Sequence, residues 1–385
     1  MEPISKSRTT QYEKMMHGGE NSVTLPIDII LEILSRSSAK SIARFRLSSK
    51  FSESLFSRPD FTELLLTKSS ARPRLLFAVK GATGEGCFYS SPQLHSSDER
   101  SSSSLVLAAD FYMDSPVDMS SEISGPVSGL IYISKRNMIT APVIYNLSTG
   151  QYTSLPEPRR DSKRYLGFDP VEKQFKVLSI SLPLEKSNQV LTLRAGRVMS
   201  WRKINISYHE PLSEGICING VVYYLARGMG YPGVIIALFD VRSETLRFLH
   251  RHGVDRLDIF SSIRVINYKG KFGLIGLQQY TGRHETELRL FVLEDLVEKQ
   301  ERWSRDIFRV KSVKEVDVPV VVAGVTATGE TVLSMDSVSK PFYVYYFNPE
   351  SETTERVEIR GFEACEYRRR VHIFIDHVED LKFIT

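Results

Sequence analysis

Histidines, cysteines and carboxylates are the side chains that could carry chemistry in this chain, and their spacing assembles no reaction centre. Of eight histidines, only His250 and His252 are close. In a strand an i, i+2 pair shares one face and could offer two ligands to a metal. A zinc site needs three or four ligands; no third is identifiable and no HExxH spacing occurs, so these histidines read as solvated or turn residues. Cys217 lies inside the apolar run Gly215-Ile216-Cys217-Ile218 and reads as a packed small hydrophobe, not a nucleophile. No GxSxG, P-loop or GxGxxG is present, which leaves serine hydrolysis and nucleotide binding without support. Glu298 and Glu301 stand in a charged stretch that reads as a solvated face, and Arg368-Arg369-Arg370 as a charged strand edge. Trp201 and Trp303 read as outer-strand packing anchors. The expectation is a chain that is not an enzyme and holds no metal or cofactor.

Composition narrows the class. The chain has 385 residues, 42% apolar and 10% aromatic, enough for a substantial core. Fifty basic against 46 acidic residues leave a formal charge of +4 with no basic stripe, so nucleic acid is not an expected partner. Cys87, Cys217 and Cys365 are far apart without CxxC spacing, which fits a reducing compartment. The first twenty residues lack the apolar stretch of a secretory signal, and no apolar run is long enough to span a membrane. Nucleus and cytoplasm both fit.

The elements that must position any site differ sharply along the chain. Residues 1–20 are polar and predicted disordered. From Leu25 to Phe61 the pattern is helical. Pro26 suits a first helical position, and Asp28 complements the positive end of the helix dipole. Ile27, Ile30, Leu31 and Leu34 form one stripe at helical spacing, and Ile29 with Ile33 forms a second beside it. Ser37 and Ser38 offer caps for a second helix through Ile42, Phe45 and Leu47; a third starts near Ser49 and ends before Pro59. Two apolar stripes exceed what so small a unit can bury on itself, so the surplus implies a partner.

From Arg72 onward strands and turns take over, interrupted by the low-complexity loop 96–104. A unit recurs: an apolar strand containing a glycine, a second strand, an Asp or Asn turn, then a strand with Thr or charged residues. Its glycines are Gly129, Gly167, Gly220, Gly270 and Gly329, standing 38 to 59 residues apart. Propeller blades recur at roughly 40 to 50 residues. The reading is α plus all-β: a small helical unit followed by a β-propeller-like array of five or six blades, with a β-sandwich as the alternative. Closing the ring requires Leu75–Val79 or the final strand Val371–Ile375 to complete a blade.

These residues carry a resemblance. Leu25-Pro26, Asp28, Glu32-Ile33-Leu34-Ser35-Arg36, Ala39 to Arg46 and Ser49-Lys50 resemble an F-box, the three-helix motif that docks on a Skp-type adaptor of a cullin–RING ubiquitin ligase. Pro59-Asp60-Phe61 with Ser70 to Phe77, Leu166 to Pro170, Lys173 to Leu178, Ser200 to Ile204, Gly215 to Gly220, Tyr268 to Lys271 and His377 to Asp380 resemble the F-box-associated domain of a large plant family. The resemblance assigns residues 21–67 to the F-box and 72–385 to the associated substrate-recognition domain. It implies a non-catalytic substrate receptor that binds a Skp-type adaptor, and through it cullin and RING subunits, and holds a protein target that the sequence does not identify. The adaptor contacts it implies are Leu25, Pro26, Ile29, Ile30, Ile33, Leu34, Ile42, Phe45 and Leu47. Two departures stand out: Ser37-Ser38 replaces a usual Leu-Pro, and Ser52 replaces a usual Trp. A buried aromatic lost from a core costs roughly 3–5 kcal/mol, so the departures imply a weaker grip on the adaptor. The alternative is a propeller scaffold whose degenerate F-box no longer engages a ligase. A propeller hydrolase or lectin would need convergent carboxylates or a metal at the central channel. Candidate recognition loops are Ala226 to Pro232, Gln278 to Glu287 and Met335 to Pro341.

Overall fold

The computed structural model describes residues 25–37, 41–42, 45, 49–56, 58–80, 85–94, 105–118, 122–134, 141–157, 162–181, 188–193, 199–228, 233–249, 262–279, 285–297, 300–311, 319–362, 365 and 369–380. The predicted disordered segment, the loop 96–104, Ser38, Leu47 and the pair His250 and His252 lie outside them.

The helical unit contains α1 (Ile27–Ser35), helical residues at Ser41, Ile42 and Phe45, α2 (Lys50–Phe56) and α3 (Pro59–Ser70). Ser49 caps α2, its hydroxyl accepting from the Ser52 amide at 3.1 Å. The third predicted helix, ending before Pro59, is α2; a further helix, α3, follows it, marked by Pro59 at its first position, Asp60 in the first turn and Phe61, Leu64 and Leu65 at helical spacing. Leu31, Ile42, Leu55, Phe56, Phe61 and Leu65 form its core.

The remaining strands form six sheets, one per blade. Blade 1 orders Val371–His377, Arg74–Lys80, Glu85–Pro92 and Asp110–Asp118 from the centre outward. Blade 2 spans 122–154, blade 3 162–203, blade 4 209–249, blade 5 262–311 and blade 6 320–360. Their innermost strands neighbour one another around a closed ring. Six blades settle the five-or-six expectation, and the closed ring excludes the sandwich. Each blade–blade interface has its own apolar cluster. This double burial is why Leu130–Ser134 and Thr331–Met335 are buried at every position and read as continuous rather than alternating apolar runs.

Two strand exchanges close the ring. The last strand pairs antiparallel with the first, Val79 opposite Val371 and Arg74 opposite His377. Both segments expected to complete a blade therefore complete the same one. Leu105–Ala108, inserted within blade 1, adds a parallel fifth strand to blade 6, with Leu105 opposite Val357. Edges that would otherwise be bare are covered.

The glycine repeat needs a correction: Gly129, Gly220, Gly270 and Gly329, expected inside strands, stand in the turns that precede them. Ser128-Gly129, Asn219-Gly220 and Lys269-Gly270 are two-residue turns with both residues at positive φ, the type I′ geometry that matches strand twist. Gly167 is different: it lies inside the innermost strand of blade 3, where a Cβ would come within 2.6 Å of Val241 and 2.9 Å of Val222. Blade 3 makes its corresponding turn at Pro170–Lys173 instead, which is why the apparent repeat is irregular.

Candidate functional site

The α1 helix divides its two apolar stripes as a docking element would. Leu31 is buried, and Ile27, Ile30 and Leu34 pack half-buried against the helical core. Ile29 and Ile33, one turn apart, point outward at 48% and 54% exposure. Leu25 and Phe45 are exposed to a similar degree, Pro26 is exposed as well, and the Phe45 ring meets Phe56 edge-on at 6.2 Å. Five of the nine expected contact residues, Leu25, Pro26, Ile29, Ile33 and Phe45, are thus exposed. Ile42 is 1% exposed and belongs to the core, so it supports the face from beneath; Leu47 lies outside the described residues.

Polar contacts hold this face in shape. Glu32 accepts hydrogen bonds from Arg36 at 2.8 Å and from Lys68 of α3 at 3.1 Å. Those bonds, Arg36 first, hold its carboxyl below the usual range. Ser52 is 2% exposed, its hydroxyl 2.8 Å from that of Ser49. The small residue standing where the resemblance expects Trp is therefore absorbed inside the unit. Ser37 closes α1, its amide donating to Leu34 at 3.0 Å.

The helical unit is fastened to the propeller by the chain's own end. The Glu379 amide donates to Ser69 of α3 at 2.7 Å, while Tyr112 of blade 1 donates to the Glu379 carboxylate at 3.2 Å. The Asp380 amide donates to Ser148 at 3.0 Å, and Asn146 returns a bond to the Asp380 carbonyl at 3.1 Å. These bonds tie α3 to blades 1 and 2. Beside them His377 is fully buried with neither ring nitrogen hydrogen-bonded; burial, with Arg74 adding to it, pushes its pKa down to about 4.

Strand direction then separates two faces. Arg74 enters from α3 at the His377 end of blade 1. The tight turns gather at that end: Asp380 stands against Gly129, Asn219 donates to the Gly270 carbonyl, and the Ala327 amide donates to Asp376. At the opposite end, the Val371 end, lie Arg264, Arg370, His372, Glu214 and Asp336. The three expected recognition loops also open there, since each follows the second strand of its blade; their described parts are 226–228, 278–279, 285–287 and 335–341. A cavity of about 950 Å³ runs along the innermost strands, reaching from Arg370 and His372 to Lys269 and Asp376.

Of the side chains weighed for chemistry, Cys217, Trp201 and Trp303 serve packing, while Glu298 and Arg368 lie outside the described residues. Among the described residues no three His, Cys, Asp or Glu side chains could hold a metal. Cys217 packs between blades 3 and 4, and burial raises its thiol pKa. His209 donates from Nδ1 to the Ser207 carbonyl at 2.8 Å, which leaves Nε2 to accept from Tyr224 at 2.6 Å. Trp201 donates to the Pro156 carbonyl at 2.9 Å, and Trp303 packs edge-on to Phe272. Arg370 is not on an outer edge: it opens the innermost strand at the channel mouth.

Comparison with known proteins matches this arrangement. The F-box domain family matches residues 24–64, and the family described as F-box associated beta propeller domain matches residues 74–378. A curated Arabidopsis thaliana relative is 46% identical over 374 residues, covering 94% of this chain and 98% of its own. The Arabidopsis thaliana F-box protein At3g57590 is 44% identical over 379 residues, covering 93% and 91%. The Arabidopsis thaliana F-box protein At2g16450 is 40% identical over 413 residues, covering 94% of each chain. A small helical unit fastened to a six-bladed propeller, matched along almost its whole length, makes this chain a member of the plant F-box proteins that carry an F-box-associated β-propeller.

Proposed function

We propose that the chain is the substrate-recognition subunit of a Skp–cullin–F-box ubiquitin ligase. The adaptor covers Leu25, Pro26, Ile29, Ile33 and Phe45, with Ile30, Leu34 and Ile42 beneath, and brings the cullin and RING subunits; the face of the propeller away from α3 holds a target protein for ubiquitination and degradation. The chain contributes proximity and no bond-making group: holding the target near the ubiquitin-loaded partner raises its effective concentration. The observation that carries this reading is the outward Ile29–Ile33 stripe on a unit tied to the propeller. Fully burying an exposed Leu, Ile or Phe side chain is worth about 1.5–3 kcal/mol; Leu25, Ile29, Ile33 and Phe45 are about half exposed, so covering each contributes roughly half of that toward the cost of association.

Ile29→Asp with Ile33→Asp places two carboxylates in that interface without entering the core. Co-purification of a Skp adaptor with the wild type and its loss in the double variant, at unchanged Tm, is the expected result. Equal capture by both proteins would sink the adaptor assignment. The buried Ser52 favours a second reading, a propeller scaffold with a lapsed F-box, and a folded wild type that captures no adaptor is the outcome it predicts.

A further inference from the structure

Arg264, Arg370 and His372 converge on the channel mouth at the face away from the F-box. The carboxylates beside them stand off, Glu214 at 3.6 Å from Arg264 and Asp336 at 3.7 Å from Arg370. Both separations exceed hydrogen-bond length, so each guanidinium holds its acid by charge alone and retains donors. Arg264 also donates to the Ala323 carbonyl of blade 6, which fixes its plane. Arg370 has an exposed side chain on an anchored backbone: it bridges Ser337, and the next amide, that of Val371, donates to Asp336 at 3.0 Å. His372 lies two residues along the same strand and shares its face. Glu214 is wetter than Arg264, which is held in place, and Asp336 is itself exposed beside Arg370, so an entering anion displaces both carboxylates toward water at little cost.

Resting on the receptor reading above, we propose that this mouth binds an acidic segment of the target protein, one anionic side chain entering between Arg264 and Arg370. Arginine's planar fork suits a carboxylate or a phosphate, and the cavity is large enough for a side chain and its neighbours. Val322, Gly324 and Ile375 line the channel beneath the charges and would receive the apolar stem.

The test uses the full chain and three fluorescent decapeptides in which glycine alternates with glutamate, phosphoserine or glutamine, read by anisotropy. The charged peptides should bind about tenfold or more tightly than the glutamine peptide, as charge-assisted hydrogen bonds require. Arg370→Glu should erase that preference and Arg370→Lys should keep part of it, with Tm unchanged in both. Preference for phosphoserine alone assigns a phosphate, and equal preference for glutamate assigns a carboxylate. Equal binding of all three peptides, or acidic binding undiminished in Arg370→Glu, would overturn the proposal. Adaptor capture with the same proteins separates the two readings: capture without acidic preference sinks only the channel site, and acidic preference without capture sinks only the ligase assignment.

Discussion

His377 ties protonation to the joint between the two parts of the molecule. In the fold it takes a proton only near pH 4, against an ordinary value of 6.5, because burial excludes the charged ring. The unfolded chain therefore binds the extra proton between those values. Its contribution is fully present above pH 6.5 and is lost as pH falls toward 4, a swing of about 3 kcal/mol. Burial lowers His209 and His372 in the same direction, and the hydrogen bonds from Arg36 and Lys68 hold the Glu32 carboxyl below its ordinary range. Melting temperature measured from pH 7 to 4.5 should fall steeply in the wild type and less steeply in His377→Gln; parallel curves would remove His377 from the account. The outward side chains of α1 act at the same scale, and there the sequence showed two stripes without saying which one the core would take.

Within the blades, turns and close approaches carry the local specification. Asn146, Asp169, Asp240 and Asn348 each accept a hydrogen bond from an amide two or three residues on. Four residues beyond each Asx, the chain takes positive φ at Gly150, Lys173, Glu244 and Glu352. This Asx-turn chemistry was legible because it is local. The role of Gly167 was not, since its reason lies in Val222 and Val241 of the next blade. Gly167→Ala forces a methyl group into those valines and should destabilise the fold by about 1–3 kcal/mol, measured by urea titration. A variant as stable as the wild type would show that blades 3 and 4 part easily there.

The whole molecule depends on strands exchanged between distant parts of the chain. Val371–His377 is the innermost strand of the blade that Arg74 begins, and its removal opens the ring and bares two edges. A chain ending at Arg370 also loses the tail bonds to Ser69 and Ser148. It should aggregate or melt far below the full chain; recovery of a soluble chain with an unchanged melting curve would refute closure as a condition of folding. The same tail ties α3 to blades 1 and 2, and on the receptor reading proposed above that fixed span is what proximity transfer needs.

Local patterns settled much of this. The Pro26 start, the apolar stripes of α1, the change from helices to strands near Arg72 and the Asx turns depend on neighbouring residues and were readable from them. The likeness to F-box proteins was readable as well and spans nearly the whole chain. Only the tertiary structure decided the blade count, the burial of Ile42 and Ser52, the place of Gly167 and the meeting of Arg264 with Arg370 and His372 at one mouth. Those facts depend on contacts between residues far apart in the chain, where ring closure and inter-blade packing, rather than local spacing, choose the neighbours.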